Sequence, residues 1–117
     1  MVRISDRDRD NLAAIMDYCE KIKNTYHRIE KSEDVFLQDV DFRDSMLMNI
    51  VQIGEAVNRL QDECIEDLNG IAWSKIVATR NIIVHGYIRI DYSLIWKVIE
   101  QDIPILEREV GKVLDGA

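Results

Sequence analysis

Proline occurs once and glycine five times in 117 residues, too little of either for a loop-rich or disordered chain. The two cysteines, Cys19 and Cys64, offer at most one disulfide and read as reduced core thiols. No Cys/His spacing matches a zinc site. His27 and His85 lack the Glu-x-x-His pattern of a di-metal bundle, so no metal and no cofactor is expected. No apolar run approaches the length that spans a bilayer, and Met1 to Arg7 lack the apolar block of a signal peptide. The expectation is a cytoplasmic protein. Positive charge is also scarce. Fifteen Lys and Arg face 22 Asp and Glu, for a net charge of −7. That argues against a general nucleic-acid coat, whose binding rests on phosphate neutralisation. It leaves room for a small basic cleft on an acidic surface, and it suits a basic partner.

What the chain does have is apolar side chains, 47% of residues, in one domain's length. Residues 1–117 are therefore read as a single helical domain. Leu12, Ile15, Cys19, Ile22, Tyr26 and Ile29 recur at three- and four-residue steps. They predict a first helix over 6–31, started by Ser5 with Asp8 as a relaxed capping box. Ser32 restarts the chain for one turn at Val35-Phe36-Leu37. Asp39 or Asp41 then caps a helix over 41–63, with Phe42, Met46, Ile50, Ile53, Val57 and Leu60 on one face. Leu47 and Met48 widen that face towards a second contact surface. Gly54, inside this helix, costs about 1 kcal/mol against Ala and is justified by a close helix–helix approach. Its neighbour Glu55 points into a cleft or into water.

Residues 62–70 are polar and end in the turn signal Asn69-Gly70. A short helix then runs from Trp73, a core anchor, to Gly86. Asp91 caps a last helix over 92–114, whose face is Leu94, Ile95, Val98, Ile99, Ile103, Leu106, Val110 and Val113. Pro104 must kink or break it, because the ring removes the bond to the carbonyl of Glu100. No stretch alternates with strand period. The expected fold is all-α, an up-down bundle of four to five helices with a kinked last helix at Pro104.

Chemistry concentrates in Thr79-Arg80-Asn81-Ile82-Ile83-Val84-His85-Gly86-Tyr87. On a helix Asn81 and His85 are neighbours, and Arg80 is long enough to fold across to them. Arg80 and Tyr87 share a face if the helix persists through Gly86. A guanidinium matches a phosphate and keeps its charge. An imidazole moves protons near neutral pH. Asn81 can orient that imidazole or bind a phosphate oxygen. These parts suit RNA cleavage without a metal, because the ribose 2′-OH already lies beside its own phosphate. The reaction needs a base, an acid and positive charge on the phosphorane. One chain has one well-placed histidine. A homodimer brings two to one cleft. Lys75, Arg89 and Arg59 can add local positive charge. The same Arg and His can equally cap a helix C-terminus with no chemistry at all.

Arg80-Asn81-x-x-x-His85-x-Tyr87 resembles the Arg-x4-His-x-Tyr pattern of the HEPN domain, in its HepT-like branch. Gly54-Glu55-Ala56 one helix upstream, Trp73-x-x-Ile76 before the motif and Ile103-Pro104-Ile105-Leu106 after it extend the resemblance over essentially the whole chain. The segment from Cys64 to Ile71 is short against that pattern. The resemblance implies a homodimeric endoribonuclease, the toxin of a prokaryotic toxin–antitoxin pair. It makes Arg80 and His85 catalytic, with Asn81, Tyr87 and Glu55 in support. It also implies a minimal nucleotidyltransferase antitoxin that adenylylates Tyr87. The alternative is a non-catalytic helical dimer that holds such a partner, or a nucleotide or RNA, without turnover.

Overall fold

The computed structural model describes residues 4–86 and 89–115. Among these residues every regular element is a helix, and the all-α expectation holds. In order they are α1 (Asp6–Arg28), α2 (Glu33–Gln38), α3 (Val40–Asn58), α4 (Asp62–Asp67), α5 (Trp73–His85), α6 (Tyr92–Lys97) and α7 (Ile103–Leu114). A π turn, Val98–Asp102, joins α6 to α7. The chain packs α1 against α3 and α7, and α3 against α5. No described helix is long and apolar enough to cross a membrane.

The core is the set of faces that the three- and four-residue spacing marks out. Leu12, Ile15 and Cys19 of α1, Met46, Ile50 and Ile53 of α3, and Leu106 and Val110 of α7 have no exposed surface. Each such aliphatic side chain contributes about 1.5–3 kcal/mol when removed from water. Phe36 of α2 is fully buried and packs on Trp96, ring centres 5.1 Å apart; Tyr26 meets the same indole at 5.3 Å. Cys19 and Cys64 are both buried free thiols.

Three caps are where the sequence puts them. Ser5 accepts from Asp8 N–H, Ser32 from Val35 N–H, and Asp91 from the N–H groups of Ser93 and Leu94. At α3 the cap is Asp39, which accepts from Asp41 and Phe42. Asp8 departs from the capping-box expectation. Its carboxylate is 2% exposed and accepts from Gln61 N–H at 3.1 Å, 53 residues away.

That tether accounts for a second difference. The helix expected over 41–63 ends at Asn58, and Gln61 opens a separate helix, α4. The first helix also ends early, at Arg28, because Glu30 and Lys31 adopt left-handed φ of 56° and 58°. The last helix is interrupted immediately ahead of Pro104, where the sequence puts the break. Ile103 N–H reaches back five residues to the Val98 carbonyl, and Pro104 falls in the first turn of α7. Pro104 has no N–H to return to the Glu100 carbonyl, and the wide turn sits where that bond is missing. The wide turn adds about one residue, or roughly 100° of rotation. Trp96 is buried ahead of it, whereas Leu94, expected in the core, is 55% exposed.

Candidate functional site

The cluster is built on α5 and on the helix it crosses. The inner side of α5 is anchored by Trp73 and Ile76, both buried. The Trp73 indole N–H donates to the Leu68 carbonyl at 2.9 Å. The buried Thr79 hydroxyl donates to the Lys75 carbonyl at 2.8 Å. Asn81, Ile82 and His85 lie on the exposed outer side.

Arg80 sits at the crossing of α3 and α5. A Cβ on Gly54 would lie 2.5 Å from Arg80 Cγ and collide with its Cβ. Only glycine lets the two backbones approach this closely. The stem of Arg80 therefore lies across Gly54, and its head meets the next residue of α3. Arg80 Nε donates to Glu55 Oε1 at 3.0 Å, and Nη2 donates to the same oxygen. Nη1 donates to Asn81 Oδ1 at 2.8 Å. Of five guanidinium protons, three have protein acceptors among the described residues. Two remain for an anion. The cation is about one-fifth exposed, so its charge is partly shielded from water yet reachable.

His85 is the last residue of α5 and is exposed. It follows Asn81 by one helical turn, so the two share a face. The structure thus brings Arg80, Asn81 and Glu55 into direct contact and puts His85 beside them along the helix. Asn81 turns its oxygen to Arg80, which leaves its two amide protons for another group. No protein group among the described residues accepts from or donates to the His85 ring. Tyr87, named from the sequence for support and for modification, lies outside the described residues. The helix that would carry it on the Arg80 face stops at His85. Gly86 closes it with φ of −79°, an ordinary right-handed conformation. Close packing explains this glycine, since a Cβ there would strike the Ile82 carbonyl and lie 3.1 Å from Ile90 Cγ1.

His27 belongs elsewhere. It lies in the last turn of α1, with its ring edge-on to Tyr26 at 5.8 Å. Among the described residues no three His, Cys, Asp or Glu side chains gather as a metal would require. Two hollows flank the outer side of α5. One, about 440 Å³, is lined by Val57, Trp73, Ser74 and Asn81. The other, about 530 Å³, lies between α5 and α6 and includes Lys75 and Arg89. Of the other cations named from the sequence, Lys75 is paired to Asp102 at 2.8 Å, and Arg59 caps α3 and lines neither hollow. Lys97, which does line the second, carries no sequence signal that separates it from any solvated lysine.

An all-α bundle with a carboxylate-held arginine and, five residues on, an exposed histidine offers the two kinds of group that phosphodiester chemistry uses. The family comparison agrees with that chemistry. Residues 15–113 match the model of the family described as ribonuclease HepT-like. The chain is 30% identical over 106 residues to "Putative RNase" of Caldanaerobacter subterraneus, covering 91% of this chain and 93% of that one. It is 27% identical over 103 residues to "Probable ribonuclease HepT" of Thermococcus cleftensis, covering 83% and 93%. It is 34% identical over 86 residues to "Gamma-glutamylcyclotransferase and putative RNase" of Methanocaldococcus jannaschii, covering 74% of this chain but 39% of that longer protein. No solved structure matches the chain. The chain belongs to the HepT-like ribonuclease family.

Proposed function

We propose that this protein is a metal-independent endoribonuclease whose active site is shared by two copies. The observation that carries this reading is the guanidinium of Arg80, held by Glu55 and by Asn81, which lies one turn before His85. Glu55 limits the rotamers of Arg80, so little freedom is lost when a phosphate takes the two remaining protons. Those contacts stabilise the phosphorane as charge builds on its oxygens.

His85 of one copy takes the proton from the ribose 2′-OH. The 2′ oxygen attacks phosphorus, and a 2′,3′-cyclic phosphate forms as the bond to the 5′ oxygen breaks. His85 of the partner subunit returns a proton to that oxygen. The exposure of His85 and its lack of a protein partner among the described residues support a site that a second copy completes.

The biological role that fits is the toxin of a toxin–antitoxin pair. Its control is adenylylation of Tyr87 by a nucleotidyltransferase antitoxin: the tyrosine oxygen takes AMP from ATP, and pyrophosphate leaves. The added phosphodiester brings negative charge and bulk beside a phosphate-binding site and repels RNA.

The test is cleavage of tRNA and mRNA by purified protein in EDTA, beside His85→Ala. Cleavage by wild type and loss in the variant support the reading. Equal cleavage by both, or none by either, overturns it and favours a binding module without turnover. Intact mass after coexpression with the partner tests control separately. A gain of one or more AMP units that Tyr87→Phe abolishes is expected; no gain in wild type removes adenylylation alone.

A further inference from the structure

The hollow between α5 and α6 differs in character from the rest of the surface. Its floor is aliphatic, from Ile82, Leu94, Ile95 and Val98, and two of these are among the large apolar side chains most exposed to water: Ile82 at 47% and Leu94 at 55%. Its rim carries Lys75, Arg89 and Lys97 against Asp91, in a chain whose net charge is −7. The Asp91 carboxylate is spent on capping α6, and Lys75 is paired to Asp102. Among the described residues, Arg89 and Lys97 have no carboxylate within ion-pair distance. The three cations outnumber the one carboxylate of the rim, so positive charge has gathered here on an acidic protein.

The occupant must satisfy both halves of this surface. A second copy does not, because a two-fold axis through the hollow would press Arg89 and Lys97 against their own images. An RNA duplex keeps its bases stacked away from an apolar floor. A single strand offers both an unstacked base and a phosphate, the pairing that grooves for single-stranded nucleic acid use. The volume, about 530 Å³, lies in the range of small-ligand sites and accepts one nucleotide. Gly86, the residue after His85, lines the hollow.

We propose that this hollow is the seat of the nucleotide next to the scissile phosphate in a single-stranded RNA substrate. Its base lies on Ile82, Leu94 and Val98, and its phosphate meets Arg89 and Lys97. The assignment rests on the ribonuclease reading for the identity of the ligand. An aliphatic floor packs the face of any base, so recognition here is sequence-tolerant and selects for unpaired RNA.

The experiment is binding of a fluorescent single-stranded RNA to full-length His85→Ala protein, with Arg89→Ala/Lys97→Ala added. Removing two phosphate contacts is expected to weaken binding about tenfold or more and to lower the salt slope by about 1.4. Leu94→Ser is expected to weaken binding with the salt slope unchanged. The control pair Lys21→Ala/Lys112→Ala, with the same loss of charge elsewhere, changes affinity less than about twofold. A perfect duplex of the same sequence does not compete. The proposal is overturned if the two double variants lose affinity equally, if the duplex binds as well, or if Leu94→Ser and Arg89→Ala/Lys97→Ala instead turn a dimer into a monomer. Cleavage distinguishes this from the parent reading. Groove-dependent binding with equal cleavage by wild type and His85→Ala sinks the catalytic reading alone. Cleavage that needs His85 but ignores Arg89 and Lys97 sinks the groove alone.

Discussion

Arg80 is the residue on which most of the local structure converges, and its neighbours fix it by ordinary means. Gly54 makes room for its stem, while Glu55 and Asn81 take three of its protons. Other single residues have costs that can be measured. Lys31 holds a left-handed φ of 58°, which a side chain adopts at about 1 kcal/mol or more. Lys31→Gly is therefore expected to stabilise the protein by roughly 0.5 kcal/mol in urea unfolding, the relief of the left-handed φ exceeding the added freedom of the unfolded chain. Burial pushes the Cys19 thiol up to about 12 and the Cys64 thiol up to about 11, from 9.0. Nearby carboxylates, Glu107 for Cys19 and Asp8 for Cys64, push the same way. The folded state thus keeps both thiols neutral where the unfolded chain ionises them. Their contribution is fully present below pH 9.0 and is lost as pH rises from there towards about 11 and 12. Thermal unfolding from pH 8 to 10 should show a falling midpoint that Cys19→Ala/Cys64→Ala flattens. In native protein at pH 8, iodoacetamide should label neither thiol.

At the scale of elements, the crossing of α3 and α5 carries the site. Gly54→Ala inserts one methyl group where Arg80 already lies, and an overpacked contact costs about 1–3 kcal/mol. The same change displaces the guanidinium, and a misplacement near 1 Å lowers kcat by about 100-fold. Gly54→Ala is thus expected to lower both the urea midpoint and the rate of RNA cleavage. Glu55→Gln separates the two effects, since it weakens the hold on Arg80 without adding volume: stability near wild type with slower cleavage is the expected result. Much of the element pattern was legible because caps and apolar spacing are local. Ser5, Ser32 and Asp91 cap as their side chains dictate. The early end of α3 was not legible, because Asp8 reaches across the fold to Gln61. Nor was the fate of Leu94. Leu94 lies in the first turn of α6, and its neighbours Ile95, Val98 and Ile99 take the buried face without it.

At the scale of the whole molecule, a net charge of −7 and a ribonuclease family sit together only if positive charge is local. Arg80 and the rim of the hollow between α5 and α6 provide two such places. The cluster on α5 could be read from residue types and spacing. The direction in which Asn81 turns, and the company of Lys97 with Arg89, depend on packing between elements and could not. The central claim is that one copy is half a site, and mixed dimers test it most directly. Wild-type and His85→Ala proteins are unfolded together, refolded at graded ratios, and assayed for RNA cleavage at constant total protein. If both histidines serve one cleft, activity follows the square of the wild-type fraction, so an equal mixture keeps roughly a quarter of it. Activity proportional to the wild-type fraction, roughly half in the equal mixture, would show that each copy cuts alone and contradict the account.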